Sequence, residues 1–546
     1  MINLNLVLSF LSPSIFFKHI PFFLKNLLFL VLLQSPLKAQ GLADTGQTLC
    51  NTGPNGIGAC SQATTGDSAI YPAQDGRYGR DAAAQAGILV KVGGGHAGFD
   101  YTKVCNSGEK EGSGACLINP SLGNGDNDWG CSYDNITERL WEVKTNNGNL
   151  RHNRWTYSLY NTGNNSNGGD VGTENNGRCV DSSNCDTEKY TTQVNITGLC
   201  GFSDWRLPQP QELMSLFNSE AMSPGIGSPR SNIDINYFPN TQSSDYWAAS
   251  SYVPNPTNAW FVRFNSGGIY AGTKSDGRYV RLVRGGQLFD PLLEICDANN
   301  ANTNTFVNTP SHDFIQNGAI VIHKSTGLTW DRCSLGQAWH SNFKTCGVSI
   351  NHYSWENALK EIKIRNNALY LGFSDWRLPN LKELGSIVES CGYNPAINPV
   401  IFPNTESSNY WSASFFIPNS GLAWSVKFDL GNTESTFISS DYEVRLVRGG
   451  QSFDFLNPIA APPSLTSETY NNNHLFELAE NKFSEFFTPS KSKTLILNNW
   501  EYRYYSGTDT YLGILSENET YVLGGTFGSE IVRVGFRNEL IDLLAK

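Results

Sequence analysis

The chain has 546 residues, of which 39% are hydrophobic, 12% aromatic and only 16% charged, and its 39 Lys plus Arg stand against 50 Asp plus Glu for a net charge of -11. A charged fraction below the ~25% usual for globular proteins, combined with 13 Trp, 23 Tyr and 30 Phe, excludes a disordered chain or a coiled coil. The acidic balance argues against a nucleic-acid partner held by a basic surface, and the length fits about three domains.

In chain order, residues 1–39 hold no acid, carry Lys18 and Lys25, and contain the run Leu27 to Leu33 before Leu37-Lys38-Ala39. This pattern predicts a secretory signal cleaved after Ala39. Its removal takes away three lysines and no acid, so the net charge falls from -11 to -14. No later stretch approaches the ~20 apolar residues of a membrane span, so no integral span is expected after cleavage. The chain therefore reads as exported, to the cell surface, the medium or the periplasm of a bacterium.

All 12 cysteines follow the signal, and none has the CxxC spacing of a zinc or redox site. An even count in an exported chain predicts disulfides. Cys50 with Cys60 and Cys179 with Cys185 are spaced for local staples, and Cys346 and Cys391 can pair within one domain, although spacing alone leaves connectivity open. Residues 40–89 are rich in Gly, Thr, Ser and Ala and read as a Cys-stapled, partly ordered polar leader.

Internal repetition organises the middle of the chain. Gly201-Phe-Ser-Asp-Trp-Arg-Leu-Pro208 recurs letter for letter as Gly372 to Pro379. Phe238-Pro-Asn-Thr241 recurs as Phe402 to Thr405, Tyr246-Trp247 as Tyr410-Trp411, and Val280-Arg-Leu-Val-Arg-Gly-Gly-Gln287 as Val444 to Gln451. Two homologous domains follow, over 90–290 and 313–452. Apolar spacing predicts a short helix after each Arg-Leu-Pro, Gln211 to Asn218 and Leu381 to Glu389, and a longer one over Trp355 to Ile364 with Ser354 as N-cap. Period-two alternation predicts strands at Trp260 to Phe264 and Trp424 to Phe428, with Trp, Val and Phe on one side. The fold class is α+β, with antiparallel sheets.

Beyond a Pro/Ala linker at 457–470, residues 471–546 read as a small C-terminal β module. Its signals are an amphipathic helix at Leu475 to Phe487 and strands at Trp500 to Tyr505, Tyr511 to Leu515 and Tyr521 to Gly525.

The repeated blocks, with Thr326-Gly-Leu-Thr-Trp330 opening the second copy and the divergent Thr137 to Trp141 the first, resemble the Lcl C-terminal domain family, named for a collagen-like adhesin of Legionella. The resemblance implies two tandem C-type-lectin-like domains and an extracellular recognition role. It also implies a fold analogy with formylglycine-generating enzymes, which hold copper on a cysteine pair in the C-terminal half of the domain. Here copy one has no Cys between Gly201 and Gly286 and copy two has only Cys391, so that chemistry is not carried over. No enzyme activity is expected.

Asp204, Trp205 and Arg206, with Asp375, Trp376 and Arg377, form the most conspicuous candidate site. An Asp-Arg pair beside a Trp plate reads first as a structural clasp and second as a ligand contact. Arg281 and Arg284, like Arg445 and Arg448, point to opposite sides of a strand, so one of each pair is expected to anchor a carboxylate inside. Gly93 to Gly98 fits G-x-G-x-x-G without the helix a dinucleotide needs, and Asn124 to Asp128 reads as a turn rather than a calcium loop. No metal or cofactor is expected. The favoured function is adhesin-like binding of an extracellular glycan or protein, and the rival is a structural component of the cell envelope.

Overall fold

The computed structural model describes residues 41–53, 56–60, 71–163, 166–222, 231–285 and 307–449, together with the backbone of strands between 492 and 536. The signal segment, the Pro/Ala linker and the Leu475 to Phe487 helix lie outside the described residues. The chain divides into a unit of residues 1–457 and a unit of residues 458–546.

The first unit opens with the hairpin β1 (Leu49–Gly53) and β2 (Gly56–Ala59), closed by Cys50–Cys60, and continues to a 3-10 turn at Asp75–Arg77 and the helix Gly79–Gln85. Contrary to the polar leader expected from composition, Asp44, Gln47, Gln74, Asp75 and Asp81 are all buried. Asp44, Asp75, Asp81 and the Gln74 amide pack inward because their polar atoms find partners inside the fold.

Copy one then builds β3 (Tyr101–Cys105), β4 (Trp129–Asp134) and β5 (Arg139–Glu142), the helices Thr187–Thr197 and Pro210–Met214, and β6 (Asp245–Ser251), β7 (Asn258–Arg263), β8 (Ile269–Thr273) and β9 (Val283–Gly285). Copy two repeats the plan with β10 (Phe314–Asn317), β11 (Ile320–His323), β12 (Leu328–Asp331), a short hairpin of β13 (Trp339–His340) and β14 (Thr345–Cys346), and the helices Trp355–Asn367 and Leu381–Gly385. It closes with β15 (Asn409–Phe415), β16 (Leu422–Lys427), β17 (Thr433–Phe437) and β18 (Val447–Gly449). Each copy has a four-stranded antiparallel sheet, β3-β4-β5-β9 or β10-β11-β12-β18, and a three-stranded one, β6-β7-β8 or β15-β16-β17. The closing Val-Arg-Leu-Val-Arg-Gly-Gly block returns to the opening strand, pairing Val283 with Trp141 and Val447 with Trp330. The result is the α+β architecture expected.

The helices follow their caps. Ser354 accepts from the Asn357 N–H, and Asp186 accepts from the Lys189 N–H to start Thr187–Thr197. The helix after each Arg-Leu-Pro stops early, at Met214 and Gly385, although Leu216 and Phe217, or Ile387 and Val388, stay buried beyond it. Apolar spacing alone does not separate a helical turn from the buried turn that follows it.

The alternating strands are buried on both sides, and this decides how the copies relate. Trp260, Val262 and Phe264 share one hydrophobic cluster with Trp424, Val426 and Phe428, while Phe261 and Trp247 lie in copy one's own core with Trp205. Across the shared cluster Phe217 meets Trp424 edge-on at 6.3 Å, and the Ile269 N–H donates to Thr433 Oγ1 at 2.8 Å. Ile269 and Thr433 occupy equivalent positions of the repeat. Gly267 and Gly268, at φ +78° and +95°, mark the close approach of the copies, because a Cβ would lie 3.0 Å from Trp424 at the first and 2.9 Å from Thr433 Oγ1 at the second.

The second copy therefore shares a hydrophobic cluster with the first. Each large apolar side chain of the shared cluster is worth roughly 1.5–3 kcal/mol when buried, and residues 313–452 alone expose Trp424, Val426, Phe428 and Leu384 together. That fragment is expected to self-associate and to lack a sharp melting transition, as judged by size-exclusion chromatography and near-UV circular dichroism. A monomeric fragment that melts cooperatively contradicts the shared core.

The disulfides in the first unit are Cys50–Cys60, Cys105–Cys116, Cys131–Cys200, Cys179–Cys185 and Cys333–Cys346, and Cys391 is also disulfide-bonded. The Cys346–Cys391 pairing does not form. The β13–β14 hairpin, with Trp339 opposite Cys346, folds Cys346 back toward Cys333 instead. In the second unit, β19 (Ser492–Leu497), β20 (Trp500–Tyr505), β21 (Thr510–Leu515), β22 (Thr520–Gly524) and β23 (Arg533–Phe536) form an antiparallel meander, so the three expected strands are present.

Candidate functional site

The repeated octapeptide begins in a left-handed turn, with Gly201 at φ +78° and Gly372 at φ +83°, the conformation glycine adopts without strain. The turn aims Trp205 and Trp376 into the two copies' own cores, where they are 2% and 1% exposed. The Trp205 indole N–H donates to the Leu199 carbonyl at 3.0 Å, and that of Trp376 to the Tyr370 carbonyl at 2.7 Å. The backbone on either side is gripped by one amide. Asn195 accepts from the Trp205 N–H and donates to the Trp205 carbonyl, and Asn366 does the same for Trp376. Each of these asparagines stands six positions before its octapeptide glycine, a spacing that repeats in both copies.

Asp204 and Arg206 do not pair with each other, nor do Asp375 and Arg377. Arg206 forks onto Glu212 at 2.7 and 2.8 Å, and Arg377 onto Glu383 at 2.6 and 2.7 Å. Glu212 also accepts from the Gln209 N–H to complete the capping box of its helix. Burial by itself raises the Glu212 carboxyl, but Arg139 and Arg206 hold it down to about 2. Asp204 pairs instead with Arg284 of the closing strand at 2.7 Å, and that guanidinium lies 3.6 Å from the Phe202 ring centre. Asp375, Arg448 and Phe373 repeat the arrangement, with an ion-pair distance of 2.7 Å and a ring distance of 3.9 Å. The six candidate residues thus sit together but serve three separate contacts, and each contact is duplicated in the other copy.

The buried arginines of the closing block hold carbonyls rather than the expected carboxylate. Arg281 donates to the Glu142 carbonyl and to Thr241 Oγ1, and Arg445 to the Arg332 carbonyl and to Thr405 Oγ1. This accounts for the threonine ending each Phe-Pro-Asn-Thr block. Tyr246, Trp247, Tyr410 and Trp411 are all buried, and the two indoles donate to the carbonyls of Tyr157 and Tyr353. At the turn Asn124 to Asp128, Arg151 donates to Asn124 Oδ1 at 3.1 Å, which places a cation where a calcium loop needs a ligand oxygen. Among the described residues no group of three or more His, Cys, Asp or Glu is arranged to hold a metal ion.

The two copies differ beside the octapeptide. In copy two Tyr353 is bridged to Tyr442 and is followed at once by the helix cap Ser354. In copy one the equivalent Tyr157, bridged to Arg278, is separated from the cap Asp186 by an insertion, residues 158–185. Cys179–Cys185 closes its end, Ser251 Oγ and Lys274 Nζ both donate to the Asn167 carbonyl at 2.8 Å, and Thr162 donates twice to the Glu188 carboxylate. The insertion walls a cleft of about 430 Å³. Tyr160 and Asn161 line one side, Thr191 and Thr192 of the helix another, and Gln209 and Ser250 the floor. The volume is within the range of small-molecule sites.

In copy two the counterparts of Gln209 and Ser250 are Asn380 and Ser414, and the amino-terminal segment covers them. Asn380 donates to Asp44 Oδ1 at 3.1 Å, and Ser414 donates to Asp75 Oδ2 at 2.6 Å. The Tyr71 ring packs 5.3 Å from that of Trp355, in one cluster with Ala358, Leu359 and Ile362. On its own helix copy one presents Thr187, Glu188, Thr191 and Thr192 to the cleft. The same place is hence open and polar in one copy, apolar and filled in the other.

A family model described as the Lcl C-terminal domain matches residues 130–284 and 319–448, just over half of the chain. No curated protein and no solved structure matches it.

Proposed function

The chain belongs to the Lcl C-terminal domain family, and from that membership together with the cleft of copy one we propose that it is an exported, adhesin-like recognition protein that binds a glycan. The carrying observation is the open cleft lined by hydroxyl and amide side chains, Asn161, Thr191, Thr192, Gln209 and Ser250, with Tyr160 and Leu207 supplying apolar surface. Sugars present hydroxyls to donors and acceptors of this kind and lay their C–H faces on apolar side chains. The disulfides of the first unit fit an oxidising, extracytoplasmic compartment. A lectin-like fold and cleavage after Ala39 are part of the same reading, as is a binding rather than catalytic role.

The binding face belongs to copy one, and the octapeptides serve as scaffold in both copies. A net charge of -14 after signal removal favours a neutral glycan over a polyanionic one. On a glycan array, the full exported chain is expected to bind a restricted set of neutral oligosaccharides. Thr192→Trp, which adds bulk at an exposed position on the cleft's helix wall, is expected to lower that signal at least tenfold without changing the melting temperature. A Thr192→Trp variant with the wild-type array pattern refutes the assignment of the cleft.

A further inference from the structure

The amino-terminal segment meets copy two in the manner of a bound peptide. Over Asp44 to Tyr78 it contributes two carboxylates, an amide and two aromatic rings, and all of these reach copy two through non-covalent contacts. Asp44 receives the Asn380 amide, Asp75 receives the Ser414 hydroxyl, and Asn51 donates to the Ser420 carbonyl at 2.7 Å. Tyr71 fills the apolar hollow at Trp355, and the Arg377 guanidinium lies 5.7 Å from the Tyr78 ring. The Lys382 ammonium donates to the Asp44 carbonyl at 2.6 Å, which fixes the backbone of the segment as well. Copy one holds the segment as well: Ser219 and Glu220 bond Thr45 and Thr48, the Gly98 N–H donates to Asp81, Arg80 donates to the Gly98 carbonyl, and Ala43 enters the cluster shared by the two copies.

Two further features separate this arrangement from ordinary core packing. The groove is the positional counterpart of copy one's open cleft, so the fold tolerates the place being unfilled. The segment also leaves through an exposed stretch, where Ile88, Val90 and Val92 are 59%, 89% and 83% exposed. A cut there falls outside both sheets of copy one.

We propose that the groove of copy two formed by Trp355, Arg377, Asn380, Lys382 and Ser414 is a polypeptide-binding site. Its ligand is the chain's own amino-terminal segment, held in cis in this structure and exchangeable for the same segment of a second copy. Its specificity resides in two carboxylates and a tyrosine, Asp44, Asp75 and Tyr71, presented on either side of the Cys50–Cys60 hairpin. The site is separate from the glycan cleft and stands whether or not copy one binds sugar.

The test uses the full exported chain with a protease recognition sequence inserted after Val90. After cleavage the near-UV signal is expected to persist, and a labelled synthetic peptide of residues 41–90, oxidised at Cys50 and Cys60, is expected to exchange into the chain at one per molecule. Ser414→Ala in the chain, or Asp75→Ala or Tyr71→Ala in the peptide, is expected to reduce uptake at least tenfold. Thr192→Trp is expected to leave uptake unchanged. A cleaved chain that keeps its near-UV signal and takes up no peptide overturns the proposal. So does loss of that signal on cleavage, because the segment then belongs to the core rather than to a site.

Discussion

Replacing Trp205 or Trp376 with Ala is expected to cost about 3–5 kcal/mol, as other buried large-to-Ala changes do. Each indole is almost wholly buried, and each donates to a carbonyl that is left without this partner when the ring is removed. The loss is a large share of a typical ~5–15 kcal/mol domain stability. Both variants should therefore be poorly secreted, and because the two copies share a core, damage to one should lower the melting transition of the whole first unit. Trp→Phe at either position keeps most of the packing and gives up the indole N–H, so its effect should be nearer 1–2 kcal/mol. Thermal melts of the secreted chains measure both, and wild-type melting of the two Ala variants excludes the clasp.

Stability is expected to fall as pH rises from 5 to 8, the reverse of the usual carboxylate trend. Burial, followed by repulsion from Asp81, raises Asp44 to about 8. Burial and Asp44 raise Asp75 to about 7, and burial and Asp75 raise Asp81 to about 6. The facing cation is Lys382, lowered to about 8 by burial and supported by Asp81 and Asp44, while Glu383 adds to the repulsion on Asp44 and Asp75. In the unfolded chain these carboxyls ionise near 3.8, so from about pH 4 upward the native state binds more protons. The stabilisation they confer is complete below that point and is lost as pH climbs through 6 to 8. Lys382 contributes in the opposite sense only above pH 8. Glu212, lowered to about 2, contributes stability above its unfolded value of 4.5 that is lost as pH falls toward 2. The optimum should accordingly lie near pH 4–5.

Asp75→Asn isolates this effect, because Thr45 and Ser414 hydroxyls can turn to accept from the new amide. Between pH 5 and 8 the variant should lose roughly 2–4 kcal/mol less than the parent, on the scale of ~1.4 kcal/mol per pKa unit. Melting curves at the two pH values decide it. A parent chain that gains stability over this interval, or a variant with the parent's slope, contradicts the buried acid cluster.

What was legible in the sequence was whatever lies close along the chain or recurs in it. The repeats locate the clasp blocks, Ser354 caps its helix as expected, and the Trp-Val-Phe alternation marks real strands. The alternation does not say which body faces the stripe, so Trp260 and Trp424 read as belonging to separate cores although they meet in one. The burial of the amino-terminal segment is hidden in the sequence for a related reason. Asp44, Asp75 and Asp81 look solvent-facing by residue type, and their partners, Asn380 and Ser414 among them, lie hundreds of positions away. The cleft was invisible for a third reason. It depends on residues 158–185, present in only one copy, and attention to what the copies share passes over what only one of them has. Arg206 and Asp204 show the same limit at short range, since proximity in sequence suggested a pair that Glu212 and Arg284 take apart.

The most direct test of the account is the stoichiometry of glycan binding by the full exported chain, measured by isothermal titration with the strongest array ligand. One open cleft, in copy one, predicts one glycan per chain, binding that is lost in Thr192→Trp and unchanged in Ser414→Ala. Two equivalent glycans per chain, or loss of binding in Ser414→Ala with Thr192→Trp unaffected, contradicts it.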